Sequence, residues 1–592
     1  MPEFQNPNQE PGMERRLLIV FALTFLVIIV CQPLLKKYLP QTVTPPAQTQ
    51  KQEASPVAAS NPSVAPPSPV VPIPTGSKQA STESETVIEN DLYRITFTNH
   101  GGLVKSWILK KYDDDKGQPL DLVNSVAAEK YGYPLSLWTY DEGQRNKINS
   151  ALYVGSQDTS GDGRKTLTFE YADQDLTVKK SFRFNESYVV DIETSVLSKG
   201  NVVSALPVWP AGFGDESTTA SYAASRIEYH NEESTERSYL VFPSQTQRLA
   251  IKAVSSGNTV PGPFNWIGVV DQYFAAVFIP QDPHSTTTVY LRNSIDIPKD
   301  LKKPNPQETQ KVEVLGTAVG NLHGPTVERI FVGPKSLRIL EAVSVPGIAD
   351  HADLRDLVNF GFFGIIARPL FIWLQWTYQH IVANWGWAIV FQTLIISLAL
   401  LPLRISSMKS ALKMQKIQPQ MNAIKDKYKK YGVRDPRRQE MNVEIGSLMK
   451  SEGVNPVGGC LPMVIQMPFL FAYYSMLNST LDLRHASWLW ISDLSSADPW
   501  HLLPITLVLS MIITQRMTPQ AGMDPQQQKM MNVMMPVMMG FIFFNLAAGV
   551  TLYYMESNLV SIVQQVVMNR TSLGKEMREM ALKRAKKKEK GK

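Results

Sequence analysis

Charge is nearly missing from five long stretches in the last third of this 592-residue chain, and only two cysteines occur anywhere in it. The stretches are residues 385–403, 454–479, 502–515, 530–548 and 549–568, and Glu556 is the one charged residue they contain. A helix of about 20 apolar residues crosses the ~30 Å hydrocarbon core of a bilayer. A charge at the centre of such a helix costs at least about 2.5 kcal/mol. The lack of charge therefore predicts five membrane spans and excludes an ordinary soluble protein. Cys31 and Cys460 fall in different apolar segments, which excludes a disulfide framework. Region 85–317 lacks metal-ligand spacing, a nucleophile elbow and a phosphate loop, so it offers no visible enzyme chemistry and no cofactor is expected.

A sixth apolar segment, residues 17–35, follows Arg15 and Arg16. Small residues suited to a cleavage site are absent after Val30, where the chain reads Cys31-Gln32-Pro33, so an uncleaved anchor is expected. Orientation follows from Lys and Arg in short loops. Residues 404–453 hold twelve basic and five acidic residues, and 569–592 hold ten and three. Both segments are expected in the cytoplasm, as are residues 1–16. The loop 480–500, with one Arg and three Asp, is expected outside. The net charge of +6 thus reads as a topology signal, and no DNA partner is expected.

Residues 36–84 are rich in Pro, Ser, Thr, Ala and Gln and cannot bury enough apolar surface to order, so they predict a disordered linker. From Glu85 to about Thr317 short alternating runs such as Tyr93-Arg94-Ile95-Thr96-Phe97 are separated by turn residues such as Asn99-His100-Gly101-Gly102. That pattern predicts a large antiparallel β-sandwich, within a domain spanning 85–350. Residues 351–384 carry Arg368, Gln375 and His380 among aromatic residues suited to the headgroup level, and predict an amphipathic helix lying on the outer surface. In 404–453, Met414, Ile417, Met421, Ile424, Tyr428 and Tyr431 recur at helical spacing, as do Met441, Ile445 and Leu448. They predict a basic helical hairpin with one apolar seam. It reads either as a solvated hairpin or as an arm for a ribosome or acidic lipid. The span 502–515 is short, roughly 21 Å at 1.5 Å per residue, which would favour local bilayer thinning.

Several longer strings carry more information. They are Asn384-Trp385-Gly386; Asn455-Pro456-Val457-Gly458-Gly459-Cys460-Leu461-Pro462 with Gln466-Met467-Pro468-Phe469; Met523-Asp524-Pro525-Gln526-Gln527-Gln528-Lys529; and Leu552-Tyr553-Tyr554 with Ser557-Asn558-Leu559-Val560. The chain closely resembles the YidC family of membrane-protein insertases, densely over 360–569. With its amino-terminal anchor and β-domain it is similar to the long Gram-negative form. The implied fold is a polytopic α-helical inner-membrane protein with six transmembrane helices, five of them forming an insertase core at 385–568, and a large periplasmic β-sandwich domain.

The resemblance implies a polar groove in that core, open to cytoplasm and lipid and closed outside, which takes the hydrophilic tail of a nascent membrane protein. Thr393, Tyr553 and Tyr554 match family groove positions, and Gln392, Gln466 and Ser557 are added on polarity. The family's groove arginine falls on Ser397; Arg404, seven residues on, is the next charge on that helix face. Glu556 stands where the family has an apolar residue, and is expected either to meet water in the groove or to be buried without its charge. Methionine recurs on surfaces that accept many apolar partners, and 21 of 23 Met lie after residue 400. Leu461, Met463, Met467, Pro468, Met534 and Met538 form the expected apolar slide. Implied partners are nascent membrane proteins, the Sec translocon with its accessory subunits, the ribosome and lipids, and no bond is made or broken. A solute transporter, or a sugar-binding envelope protein acting through the β-domain, are the alternative classes.

Overall fold

The computed structural model describes residues 77–161, 163–231, 246–299, 308–348, 353–431, 435–454, 461–517, 525–572 and 575. The expected anchor, most of the linker, residues 455–460 and most of the basic tail lie outside the described residues. The chain divides into two compact units, with the boundary between Leu357 and Val358.

The first unit is β-rich and antiparallel throughout, with sheets of four, ten and five strands. Alternation explains the strands: in Tyr93–Thr98 the side chains of Tyr93, Ile95 and Phe97 are buried while Arg94 is exposed. Phe97 then meets Phe169, Phe182 and Phe184 of the ten-stranded sheet, with ring centroids 6.1, 5.1 and 5.8 Å away. Trp107 of the four-stranded sheet lies 6.3 Å from Trp209 of the five-stranded one. The buried Lys180 donates to the carbonyls of Gly101 (2.7 Å), Gly102 (3.2 Å) and Leu135 (3.0 Å), so its amine is satisfied by backbone. The strand pattern does not stop near Thr317. Thr309–Asn321 continues beyond it, and Thr326–Pro334 forms a further strand between Phe274–Pro280 and Val189–Ser198. Cutting at Thr317 would remove an interior strand of the largest sheet.

The second unit is helical. Its elements are α1 (Gly364–His380), α2 (Trp385–Ala399), α3 (Leu401–Lys427), α4 (Arg437–Ser451), α5 (Leu461–Ser479), α6 (Leu502–Met517), α7 (Pro525–Phe543) and α8 (Ala548–Arg570). α8 packs against α2, α5 and α6; α1 packs against α2 and α5. α3 and α4 share an apolar cluster of Ile417, Met421, Ile445 and Val454, flanked by Met414, Ile424, Met441 and Leu448.

Two boundaries differ from the sequence reading. The stretch 385–403 is not one straight helix, because the axis turns by 47° between α2 and α3. Pro402 has no N–H to give the preceding turn, so the ladder breaks at Leu400. The short span ends at Met517, giving α6 16 residues, or about 24 Å. Among the described residues no single helix is long and apolar enough to cross a membrane; by length and composition the bent pair Trp385–Ala399 with Leu401–Ser407 is.

Glu216 gives the β-rich unit a pH dependence. It is buried, accepts the Phe213 N–H at 3.0 Å, and is bonded by the Ser225 hydroxyl. Burial, with help from the nearby Asp271 carboxylate, pushes its carboxyl from 4.5 to about 8. The folded unit therefore holds a proton that the unfolded chain releases above pH 4.5. This contribution is fully present below pH 4.5 and is lost as pH rises through about 8. Glu216→Gln should flatten that part of the thermal-unfolding profile of the full-length protein. An unchanged profile would show that the Glu216 proton is not linked to folding.

Candidate functional site in the helical unit

The end of the helical unit away from the α2–α3 bend is built from the loop between α5 and α6. Asn384 caps α2 by accepting the Trp387 N–H at 3.2 Å, and its amide donates to the Ser487 carbonyl at 2.9 Å. Gly386 follows because Trp488 lies against its backbone: a Cβ there would stand 2.2 Å from the indole. The same loop receives the start of α8, with Ala548 N–H donating to Ser496 (2.7 Å) and Gly549 N–H to Leu494 (2.9 Å). Buried Asp498 accepts the Leu503 N–H at 2.7 Å, which caps α6, and the Trp490 indole N–H at 3.1 Å.

Toward the bend, polar side chains of α2, α3, α5 and α8 converge. Ser397, Leu400, Leu403, Arg404, Gln466, Phe469, Tyr553, Ser557 and Gln564 line one cavity of about 30 Å³, room for about two waters. Gln466 donates to the Ser557 hydroxyl at 2.9 Å. Arg404 donates through one terminal nitrogen to the Gln564 carbonyl oxygen at 2.8 Å, and the Gln564 amide nitrogen donates to the Ser397 carbonyl at 3.1 Å. Among the described residues no carboxylate pairs with Arg404. The cavity is thus a polar recess holding one guanidinium, with apolar walls from Leu400, Leu403 and Phe469.

Of the residues singled out on sequence, Ser397, Arg404, Gln466, Tyr553 and Ser557 line this recess, and Gln392, Thr393, Tyr554 and Glu556 do not. Gln392 is buried between helices, accepting from the Tyr473 hydroxyl at 2.5 Å and donating to the Leu370 carbonyl at 2.9 Å. Thr393 returns its hydroxyl to the Ile389 carbonyl at 2.7 Å. Tyr554 stacks on Phe543 at 5.2 Å. Glu556 is buried, and its Oε2 makes no hydrogen bond. Tyr553, which lines the recess, also stacks on Tyr473 at 3.9 Å. Met467, Met534 and Met538 are exposed and Pro468 is half-buried; the side chains of Leu461 and Met463 lie outside the described residues. Gln564 escaped the sequence reading. The signal was its spacing, seven residues after Ser557 and eleven after Tyr553, which returns to the same face of a helix.

With this geometry in hand, comparison with known proteins is informative. A family model described as "60Kd inner membrane protein" matches residues 376–575, and one described as "YidC periplasmic domain" matches residues 85–373. The chain is 30% identical to a protein of Geobacter metallireducens named membrane protein insertase YidC, over 94% of this chain and 99% of that one. It is 31% identical to the protein of that name from Ralstonia nicotianae, over 90% and 91%. Among solved structures it is similar to one titled "Active YidC insertase crystal structure with the first transmembrane domain resolved", with 19% identity, a TM-score of 0.33, and coverage of 84% and 94%.

Two glycines test the packing of the α2 cap. Gly386→Ala forces a methyl into Trp488 and should lower stability by about 1–3 kcal/mol, the usual cost of overpacking. Gly446→Ala in α4 meets nothing within 4 Å and should raise stability by about 0.5–1 kcal/mol through helix propensity. Thermal unfolding in detergent reads both, and equal effects at the two sites would contradict the close Trp488 contact.

Proposed function

The chain belongs to the YidC family of membrane protein insertases, and from that premise we propose how its own residues carry out insertion. It inserts integral proteins into the inner membrane and carries a periplasmic β-rich domain. It is not an enzyme, since insertion changes no covalent bond. The physical task is to bring a polar tail part of the way across hydrocarbon without stripping it of all its polar partners.

The observation that carries the proposal is the convergence of Ser397, Arg404, Gln466, Tyr553 and Ser557 on one recess within otherwise apolar helices. In this reading the recess is the polar groove. A client's hydrophilic tail enters it, and its apolar segment leaves past α5 and α7, where exposed Met467, Met534 and Met538 give a deformable surface. Arg404 supplies the positive charge that the family places at the position of Ser397. Gln392 and Tyr554 act by holding helices together, and Thr393 and Glu556 are buried in the packing beside them.

The proposal includes six spans with both termini in the cytoplasm, the first at 17–35, residues 351–384 lying on the periplasmic surface, and the α3–α4 hairpin exposed to the cytoplasm. The distribution of Lys and Arg supports it, as does the apolar bent pair α2–α3. It also includes three partners besides nascent chains and lipid surfaces: the Sec translocon, its accessory subunits and the ribosome. Insertion into vesicles prepared with and without the translocon divides the clients between the two routes; dependence of every client on the translocon would remove the independent one.

Groove charge is tested by insertion of paired clients with acidic or neutral tails. Arg404→Ala should lower insertion of the acidic-tailed client by about tenfold, the size of one lost hydrogen bond to a charged group. Ser397→Arg in the same chain should restore it. Normal insertion of every client by Arg404→Ala would mean that polarity alone operates the groove. Glu556→Gln keeps shape and removes any charge, so an altered client spectrum would move Glu556 from packing into the groove.

The tail 569–592 should bind translating ribosomes through its ten basic residues, with affinity that falls steeply as salt rises. Equal ribosome pelleting with and without the tail across a salt series would assign it instead to anionic lipid.

A further inference from the structure

Arg404 has little in the protein to aim it. It sits at the start of α3, past the break, and an arginine side chain has many rotamers to choose among. Its one hydrogen bond among the described residues goes to Gln564. That amide cannot be turned round. A guanidinium only donates and a backbone carbonyl only accepts, so the Gln564 oxygen must face Arg404 and its nitrogen must face Ser397. The Ser397 carbonyl is one of the last four of α2, which lack a full set of helical donors. Gln564 therefore closes a bridge from α8 to the end of α2 with one half of its amide and holds the guanidinium of α3 with the other.

We propose that Gln564 is the positioning residue for the groove charge: it turns the Arg404 guanidinium into the recess beside Ser397, and so sets the preference for clients with acidic tails. This rests on the reading that Arg404 supplies that charge. Gln564 is neutral, so it orients the guanidinium without cancelling its field. A guanidinium has five N–H donors, and the Gln564 bond uses one, leaving others for a carboxylate that enters the recess. A carboxylate at 564 would hold Arg404 equally well but would form an ion pair, spending the charge and leaving the Ser397 carbonyl without its donor.

The test uses the full-length protein in vesicles and reads the ratio of acidic-tailed to neutral-tailed client insertion. The ratio serves as its own control for loss of folded protein. Gln564→Met keeps length and removes both hydrogen bonds; it should lower the ratio by roughly three- to tenfold, as expected for losing the aim of one charged contact. Gln564→Glu should lower it as far as Arg404→Ala does. Adding Ser397→Arg to Gln564→Met should restore the ratio, because that arginine starts from α2 and needs no bridge. A wild-type ratio in both Gln564 variants, beside a lowered one in Arg404→Ala, would overturn positioning and leave the charge reading intact. An unchanged ratio in Arg404→Ala would overturn both. Equal loss of both clients in Gln564→Met, with no rescue by Ser397→Arg, would reduce Gln564 to packing and overturn the proposal.

Discussion

A polar side chain within apolar helices must find its partner inside the protein, because lipid offers none. That constraint organises the helical unit. Gln392 is held by Tyr473 and the Leu370 carbonyl, Gln466 by Ser557, and Gln564 by Arg404 and the Ser397 carbonyl. Thr393 and Ser561 return their hydroxyls to their own helices, at Ile389 and Ser557. Each pairing of the three glutamines fixes two helices at one height. Together they set α8 against α2 and α5 by contacts that a purely apolar interface would leave free to slide. The recess forms where these pairings run out: one guanidinium has more donors than the surrounding residues accept.

The two ends of the helical unit treat polarity differently. Around the loop between α5 and α6, the polar atoms are spent on backbone. Asp498 takes the Leu503 and Trp500 N–H groups, Asp493 takes the His485 and Ser495 N–H groups, and Trp488 packs against Gly386. The polar atoms of this loop are thus spent within the protein. At the bend, polar atoms are carried on the long side chains of Arg404, Gln466 and Gln564, and the Arg404 guanidinium keeps donors that its bond to Gln564 does not use. On the function proposed above that asymmetry matters: the loop end is the side that stays shut, and the recess is where a client finds unspent donors.

Much of this was legible in the sequence, and the failures have definite physical causes. Family, β-rich domain and helical core follow from motif strings and from the two periodicities of hydrophobic residues. The strand Thr326–Pro334 was hidden because polarity and burial are exchanged in it: Glu328 is buried while Val327 is exposed. No alternation rule reads such a strand correctly. In the helical unit, polarity told which residues need partners but not on which side the partner lies. Gln392 and Tyr553 are both buried polar residues, yet one closes a contact between α2 and α5 and the other lines the recess. Glu556 is a harder case, a buried carboxyl with an unbonded oxygen for which no compensating group lies among the described residues.

The bend at Leu400 is what lets a charge move in sequence without moving far in space. On a straight helix, seven residues separate Ser397 from Arg404 by about 10 Å along the axis. The 47° turn and the length of the arginine side chain shorten that separation, and Gln564 bonds to both sides of the break at once. On the function proposed above, what a client meets is the position of a guanidinium relative to the groove wall, not its place in the chain. On that reading a serine at the family's arginine position costs no function in itself, provided that a break, a long side chain and a neutral bridge occur together. Break and bridge also constrain each other. Without Pro402 the α2 ladder would continue and give the Ser397 carbonyl its ordinary partner, and without that open carbonyl Gln564 would keep only its bond to Arg404.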